Sequence, residues 1–233
     1  MTEIKFCGMT RLADALVAAE NGADALGFIF YPGSPRYLCP EKARELIRQL
    51  PPEVIRVGVF VNESVGTVKE IQDFCALDLL QLHGDESPDY CRQFPSSGLI
   101  RAVSPRSEED LTLLEAYPCR AILLDRREEA LYGGTGRLSN WDLGVRIRKR
   151  FPLILAGGLN PGNIGEAIKT VSPHAVDINS GVESAPGIKD PDKIRSAIAE
   201  VRRISAITGS EDVPGKEPET FRIFSRMRQH DIF

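Results

Sequence analysis

Glu3-Ile4-Lys5-Phe6-Cys7-Gly8-Met9-Thr10 holds the pattern from which the rest of the chain can be read. Ile4 and Phe6 alternate with Lys5 and Cys7, the period of a strand, so the lysine and the thiol share one face. Gly8 lets the chain turn, and Thr10 is placed to cap a helix. Leu12, Ala15, Leu16 and Ala19 then recur at helical spacing, and Gly22 is placed to end that helix.

This strand-turn-helix unit repeats. Further strands are predicted at Ala25 to Phe30, Val54 to Val61, Leu77 to Leu82, Leu99 to Val103, Ala121 to Leu124, Leu153 to Ala156 and Ala175 to Ile178. Helices are predicted after Pro40, from Ser64 to Phe74, after Pro88, after Ser107, after Ser139, with Pro161 in a first turn, and after Asp190-Pro191. Strands dense in Val, Ile and Leu that alternate with amphipathic helices imply a parallel sheet covered by helices. Eight units make an α/β fold, a single (β/α)8 TIM barrel over residues 1–204, followed by a C-terminal extension over 205–233. A doubly wound open sheet is the alternative architecture.

Composition narrows the function classes. The 233 residues are 42% hydrophobic, enough for a full core, and 29 basic against 33 acidic side chains give a net charge of -4. That balance offers no general attraction for nucleic acid or an anionic membrane. No apolar run approaches a membrane span, and Met1 leads almost at once into a core strand, so a cytoplasmic protein is expected. Cys7, Cys39, Cys75, Cys91 and Cys119 are odd in number and widely spaced, which argues for reduced thiols rather than disulfides or a zinc site.

In a barrel the active face is built at strand carboxyl ends. The first strand ends in Cys7, the fourth in Gln81-Leu82-His83-Gly84-Asp85, the fifth in Ser104 and the sixth in Asp125. Each alone has a plain structural explanation, as a core thiol, a satisfied histidine or a helix-capping aspartate. Gly157 and Gly158 end the seventh strand, and Ser180 and Gly181 follow the eighth, where small residues let backbone N–H groups approach a phosphate. Tight turns are the alternative use of those glycines. Arg126 to Leu138, with Gly133-Gly134-Thr135-Gly136, reads either as an ordinary loop or as a mobile lid.

KFCGMT at 5–10, SPRY at 34–37, QLHGD at 81–85, LLD at 123–125, GGTG at 133–136, AGGL at 156–159 and VDINSGVE at 176–183 together resemble the phosphoribosylanthranilate isomerase family of tryptophan biosynthesis. The resemblance runs in order from about residue 3 to residue 204, and departs at Asn179, where the family usually has a second serine. It implies an Amadori rearrangement by general acid-base catalysis, with no organic cofactor and no metal. By correspondence Cys7 is the general base and Asp125 the general acid. Arg36 takes the anthranilate carboxylate, His83 lines the pocket, and Gly157, Gly158, Ser180 and Gly181 hold the phosphate. The partner is a small phosphorylated molecule, and the chain is expected as a monomer or homodimer.

An ordinary thiol has a pKa of about 8.5, so Cys7 needs a cation to be thiolate near neutrality, and Lys5 on the same face can supply it or can pair with a buried carboxylate. The competing readings are an inactive phosphate-binding barrel and another phosphosugar isomerase or lyase of the same fold. After Ser205 the chain reads as a linker, and Phe221, Phe224 and Met227 at helical spacing suggest a short docked helix or a contact with another subunit or pathway enzyme.

Overall fold

The computed structural model describes residues 1–105, 107, 109–125, 140–209 and 221–226. Eight parallel strands close a barrel in sequence order: β1 (Glu3–Phe6), β2 (Ala25–Ile29), β3 (Ile55–Phe60), β4 (Leu79–Leu82), β5 (Leu99–Val103), β6 (Ala121–Leu124), β7 (Leu153–Leu155) and β8 (Ala175–Ile178). Closure comes from β1 against β8, with Lys5 opposite Asp177. Outside run α1 (Leu12–Glu20), α2 (Pro40–Ile47), α3 (Val65–Cys75), α4 (Pro88–Cys91), α5 (Glu109–Thr112), α6 (Asn140–Arg148), α7 (Ile164–Val171) and α8 (Pro191–Gly209).

Period-two alternation divides the core. Ile4, Phe6, Leu26, Phe28 and Leu82 face the helices and join one buried cluster with α1, α2, α7 and α8. Ala25, Val57, Leu79, Ile100, Ala121, Leu123, Ile154 and Ala175 form a second cluster inside the barrel. A third, of Cys7, Ile29 and Val59, lies at the level of the strand carboxyl ends.

Several local expectations change. Thr10 does not cap α1; its hydroxyl donates to Gly187 O, tying the loop after β1 to the loop after β8. The helices after Pro88 and Ser107 are single turns, the second continued by a 3-10 turn at Leu113–Ala116. Pro161 precedes α7 rather than opening it, because Asn160 and Asn163 build a turn there by accepting from Gly162 N and Asn160 N at 2.8 Å each. A two-stranded antiparallel ribbon, β9 (Glu183–Ala185) with β10 (Ile188–Lys189), follows β8 and has no counterpart in the predicted elements. Ser139 and the glycine-rich stretch 126–138 lie outside the described residues, as does Met227.

The chain end closes the bottom of the barrel. The helix expected to stop near residue 204 continues to Gly209, with Ile204 and Ser205 buried and Ser205 Oγ accepting from Thr2 N at 3.1 Å. Residues 221–226 then pass under the strand amino ends as irregular chain rather than helix, bent where Ser225 N donates to Ile223 O at 3.1 Å. Ile223 and Phe224 are buried among the inward residues of the barrel. Glu3, on the inward face of β1, accepts from Ile223 N at 2.7 Å and Phe224 N at 3.3 Å. Arg222 binds Glu3 and Asp24, and Arg226 binds Asp78, so charges on the strand feet flank the apolar plug.

Phe224→Ala is therefore expected to lower unfolding free energy by about 3–5 kcal/mol, the usual range for a buried phenylalanine. Urea denaturation of the full chain measures this, and a loss under about 1 kcal/mol would show that the residue does not seal the core.

Candidate active site

The loops after β1, β4, β6, β7 and β8 carry Cys7, His83, Asp125, Gly157 with Gly158, and Ser180 with Gly181. Around the rim the order β6, β7, β8, β1 places the loops of Gly157 and Ser180 between Asp125 and Cys7.

Cys7 follows β1, is buried, and donates its backbone N–H to Ile178 O at 2.9 Å. Two residues below it Lys5 is fully buried in the barrel, with Nζ 2.6 Å from Asp177 Oδ2 and on the same face as the Cys7 sulfur. Burial works against the lysine charge, but Asp177 and then Cys7 outweigh it and leave Lys5 above its ordinary pKa. Burial pushes Cys7 up, and the pull of Lys5, offset by the Asp177 carboxylate, does not reverse it. Lys5 thus pairs with a buried carboxylate, and its charge acts on the thiol beside it without overcoming burial.

Gly27 makes room for this arrangement. A Cβ at that position would lie 2.8 Å from Cys7 Sγ and 3.1 Å from both Cε and Nζ of Lys5.

Across the mouth, Asp125 follows β6 and donates its N–H to Val103 O at 3.0 Å. Its Oδ2 is 3.2 Å from His83 Nε2, and the other ring nitrogen of His83 is 2.9 Å from Gln81 Nε2. The Gln81 amide nitrogen can only donate, so Nδ1 accepts and the neutral imidazole carries its proton on Nε2, facing Asp125. His83 is therefore held by the strand below it and in turn holds the aspartate. Behind this loop Glu86 accepts from Asn62 N and Gly84 N and pairs with Arg101 at 3.0 Å, with both side chains buried.

Gly157 and Gly158 have φ of 84° and 70°, which only glycine adopts without strain. A Cβ on Gly158 would meet nothing within 4 Å, so the cradle is open above it. At Gly181 a Cβ would fall 1.8 Å from Leu159 O, so the loops after β7 and β8 pack backbone against backbone. Ser180 is exposed at the start of a 3-10 turn, Ser180–Val182. Asn179 faces away from this cradle: its Oδ1 accepts from Lys189 Nζ at 3.0 Å and lies beside Gly8.

Arg36 lies beside Gly8 and reaches β9, where Nε and Nη2 bind Glu183 at 2.8 and 2.6 Å. Gln81, Asp177, Glu183, Lys189 and Gly27 were not marked as site residues by sequence reasoning. Glu183 and Asp177 sit inside the VDINSGVE motif, which was the available signal. Among the described residues no group of three or more His, Cys, Asp or Glu side chains is arranged to hold a metal ion, and no helix is long and apolar enough to cross a membrane.

Comparison with known proteins identifies the family. The family described as N-(5'-phosphoribosyl)anthranilate (PRA) isomerase matches residues 4–200. A protein of that name from Syntrophus aciditrophicus is 75% identical over 226 residues, covering 97% of this chain and 98% of the relative. The solved monomers generated from dimeric phosphoribosylanthranilate isomerase of Thermotoga maritima superpose with a TM-score of 0.77 at 41% identity, over 87% of this chain and 100% of theirs. Another solved phosphoribosylanthranilate isomerase, bound to reduced 1-(o-carboxyphenylamino)-1-deoxyribulose 5-phosphate, gives 0.76 at 42% identity with the same coverage. The closed eight-stranded parallel barrel is an architecture this chain shares with those solved isomerases. More narrowly, this chain belongs to the N-(5'-phosphoribosyl)anthranilate isomerase family.

Gly27→Ala is expected to reduce kcat by about tenfold or more, because an inserted methyl must displace the thiol or the lysine at an overpacking cost of about 1–3 kcal/mol. Steady-state rates of the folded variant decide this, and a kcat within twofold of the parent would show that the thiol position is not critical.

Proposed function

We propose that the chain isomerises N-(5-phosphoribosyl)anthranilate to 1-(2-carboxyphenylamino)-1-deoxyribulose 5-phosphate, with Cys7 as base and Asp125 as acid. The observation that carries the residue roles is the rim order: the glycine loops after β7 and β8, with open space above Gly158, lie between the two groups. A substrate held there by its phosphate spans from one to the other.

The reaction needs a proton on the furanose ring oxygen as its bond to C1 breaks, with the anthranilate nitrogen supplying the electron pair. Asp125 supplies that proton. Because His83 donates to Oδ2, the acidic proton of the protonated carboxyl is placed on Oδ1. Cys7 then removes the proton from C2, and the enolamine that results tautomerises to the ketone. No oxidant or reductant enters, since C1 gains the hydrogen that C2 loses. Arg36 receives the anthranilate carboxylate, and Gly157, Gly158, Ser180 and Gly181 receive the phosphate away from the reacting carbons. The active unit is the barrel, working in the cytoplasm as a monomer or homodimer, with the segment after it closing the opposite end.

Cys7→Ala and Asp125→Ala are each expected to remove most turnover while binding of the reduced product analogue persists. The assay follows loss of phosphoribosylanthranilate fluorescence, and near-parental activity of the purified Cys7 variant would remove it from the base role. The active form of the base is the thiolate, so a thiol pKa raised by burial moves the rising limb of kcat/KM to the alkaline side of an ordinary cysteine. Lys5→Met should move that limb further alkaline. A pH profile whose limb stays in place in the Lys5 variant would mean that the ammonium does not act on the thiol.

A further inference from the structure

A guanidinium has five N–H donors in one plane and two edges able to bind a carboxylate. In Arg36 the side-on edge, Nε and Nη2, is closed by Glu183 Oε1 and Oε2 at 2.8 and 2.6 Å. No hydrogen bond from the described residues reaches Nη1. The end-on edge, Nη1 with the second proton of Nη2, is thus available at the mouth.

Glu183 is itself immobilised. Oε1 also accepts from Lys189 Nζ at 3.0 Å and from Gly187 N at 3.1 Å. The buried Lys189 ammonium uses its three protons on Glu183 Oε1, Asn179 O and Asn179 Oδ1, each at 3.0 Å. Turning Glu183 away would leave that ammonium short of an acceptor in a water-poor site. The stem of Arg36 is fixed from the other side, since a Cβ on Gly8 would come within 2.7 Å of its Cδ. Two cations against one carboxylate leave one formal positive charge on this side of the mouth.

We propose that Glu183 is a positioning residue that clamps the side-on edge of Arg36 and thereby aims its end-on edge at the carboxylate of the anthranilate ring. This rests on the role given to Arg36 above. It also accounts for Asn179, whose side-chain oxygen completes the shell of Lys189 rather than reaching toward phosphate. With glutamine at position 183 an amide NH2 would face a guanidinium N–H, donor against donor, and Arg36 would lose its fixed direction.

The test uses the full chain, titrated with the reduced product analogue and with the same analogue lacking the ring carboxylate. The parent should prefer the carboxylated ligand by about tenfold or more, and Arg36→Ala should abolish the preference. Glu183→Gln should cut the preference to about threefold or less, leave affinity for the decarboxylated ligand within about twofold, and raise KM more than it lowers kcat. Glu183→Asp keeps the charge for Lys189 but cannot span both donors, and should also lower the preference; it serves if the glutamine variant fails to fold. Loss of preference in the Arg36 variant with full preference in the Glu183 variants would overturn the clamp and leave the Arg36 role standing. Full preference in all of them would overturn both. Equal weakening of both ligands by Glu183→Gln would reduce Glu183 to a structural residue and overturn the proposal.

Discussion

A fully buried ammonium and a carboxylate 2.6 Å apart join the first strand of the barrel to the last. Neither Lys5 nor Asp177 could be taken from water alone at tolerable cost, so the pair requires β1 and β8 to lie side by side. Its position couples architecture to chemistry, because the same ammonium and the Cys7 sulfur flank the space beside Gly27. Closure of the barrel and the environment of the thiol therefore depend on one contact.

β1 and the residue after it carry three ionisable groups at intervals of two on the inward side, each serving a different level. Glu3 at the foot binds the returning chain end, Lys5 in the middle closes the barrel, and Cys7 at the top faces the mouth. The helix-facing residues of the same strand, Ile4 and Phe6, are fully buried and apolar. This division explains how a strand of four residues can hold a lysine in its interior.

Much of the fold was legible because it is local. Alternation in β1 separated Lys5 and Cys7 from Ile4 and Phe6 before any partner was known, and the repeat of apolar strands with turns fixed the barrel. Cys7 and Asp125 could be picked out because strand carboxyl ends in such a barrel share one rim. What stayed hidden depends on partners distant in sequence. Arg36 reads as an exposed loop cation until Glu183, 147 residues on, closes one edge of its fork. Thr10 reads as a helix cap until Gly187 O takes its hydroxyl. Gly27 reads as a strand glycine of no consequence until the space its missing Cβ leaves is seen to hold a thiol and an ammonium. The spacing of β1 shows Lys5 beside the thiol but carries no trace of the burial and of Asp177, which raise the thiol pKa.

The contact of Glu3 with Ile223 and Phe224 also orders events in time. It spans 220 residues, and a chain is made from its amino end. During synthesis the carboxylate on β1 thus precedes its native hydrogen-bond donors by 220 residues. Until they arrive the foot of the barrel stays open to water, which can solvate Glu3 and wet the apolar side chains that Phe224 later covers. Arrival of Ile223 and Phe224, rather than completion of the sheet, is the step that dries the core.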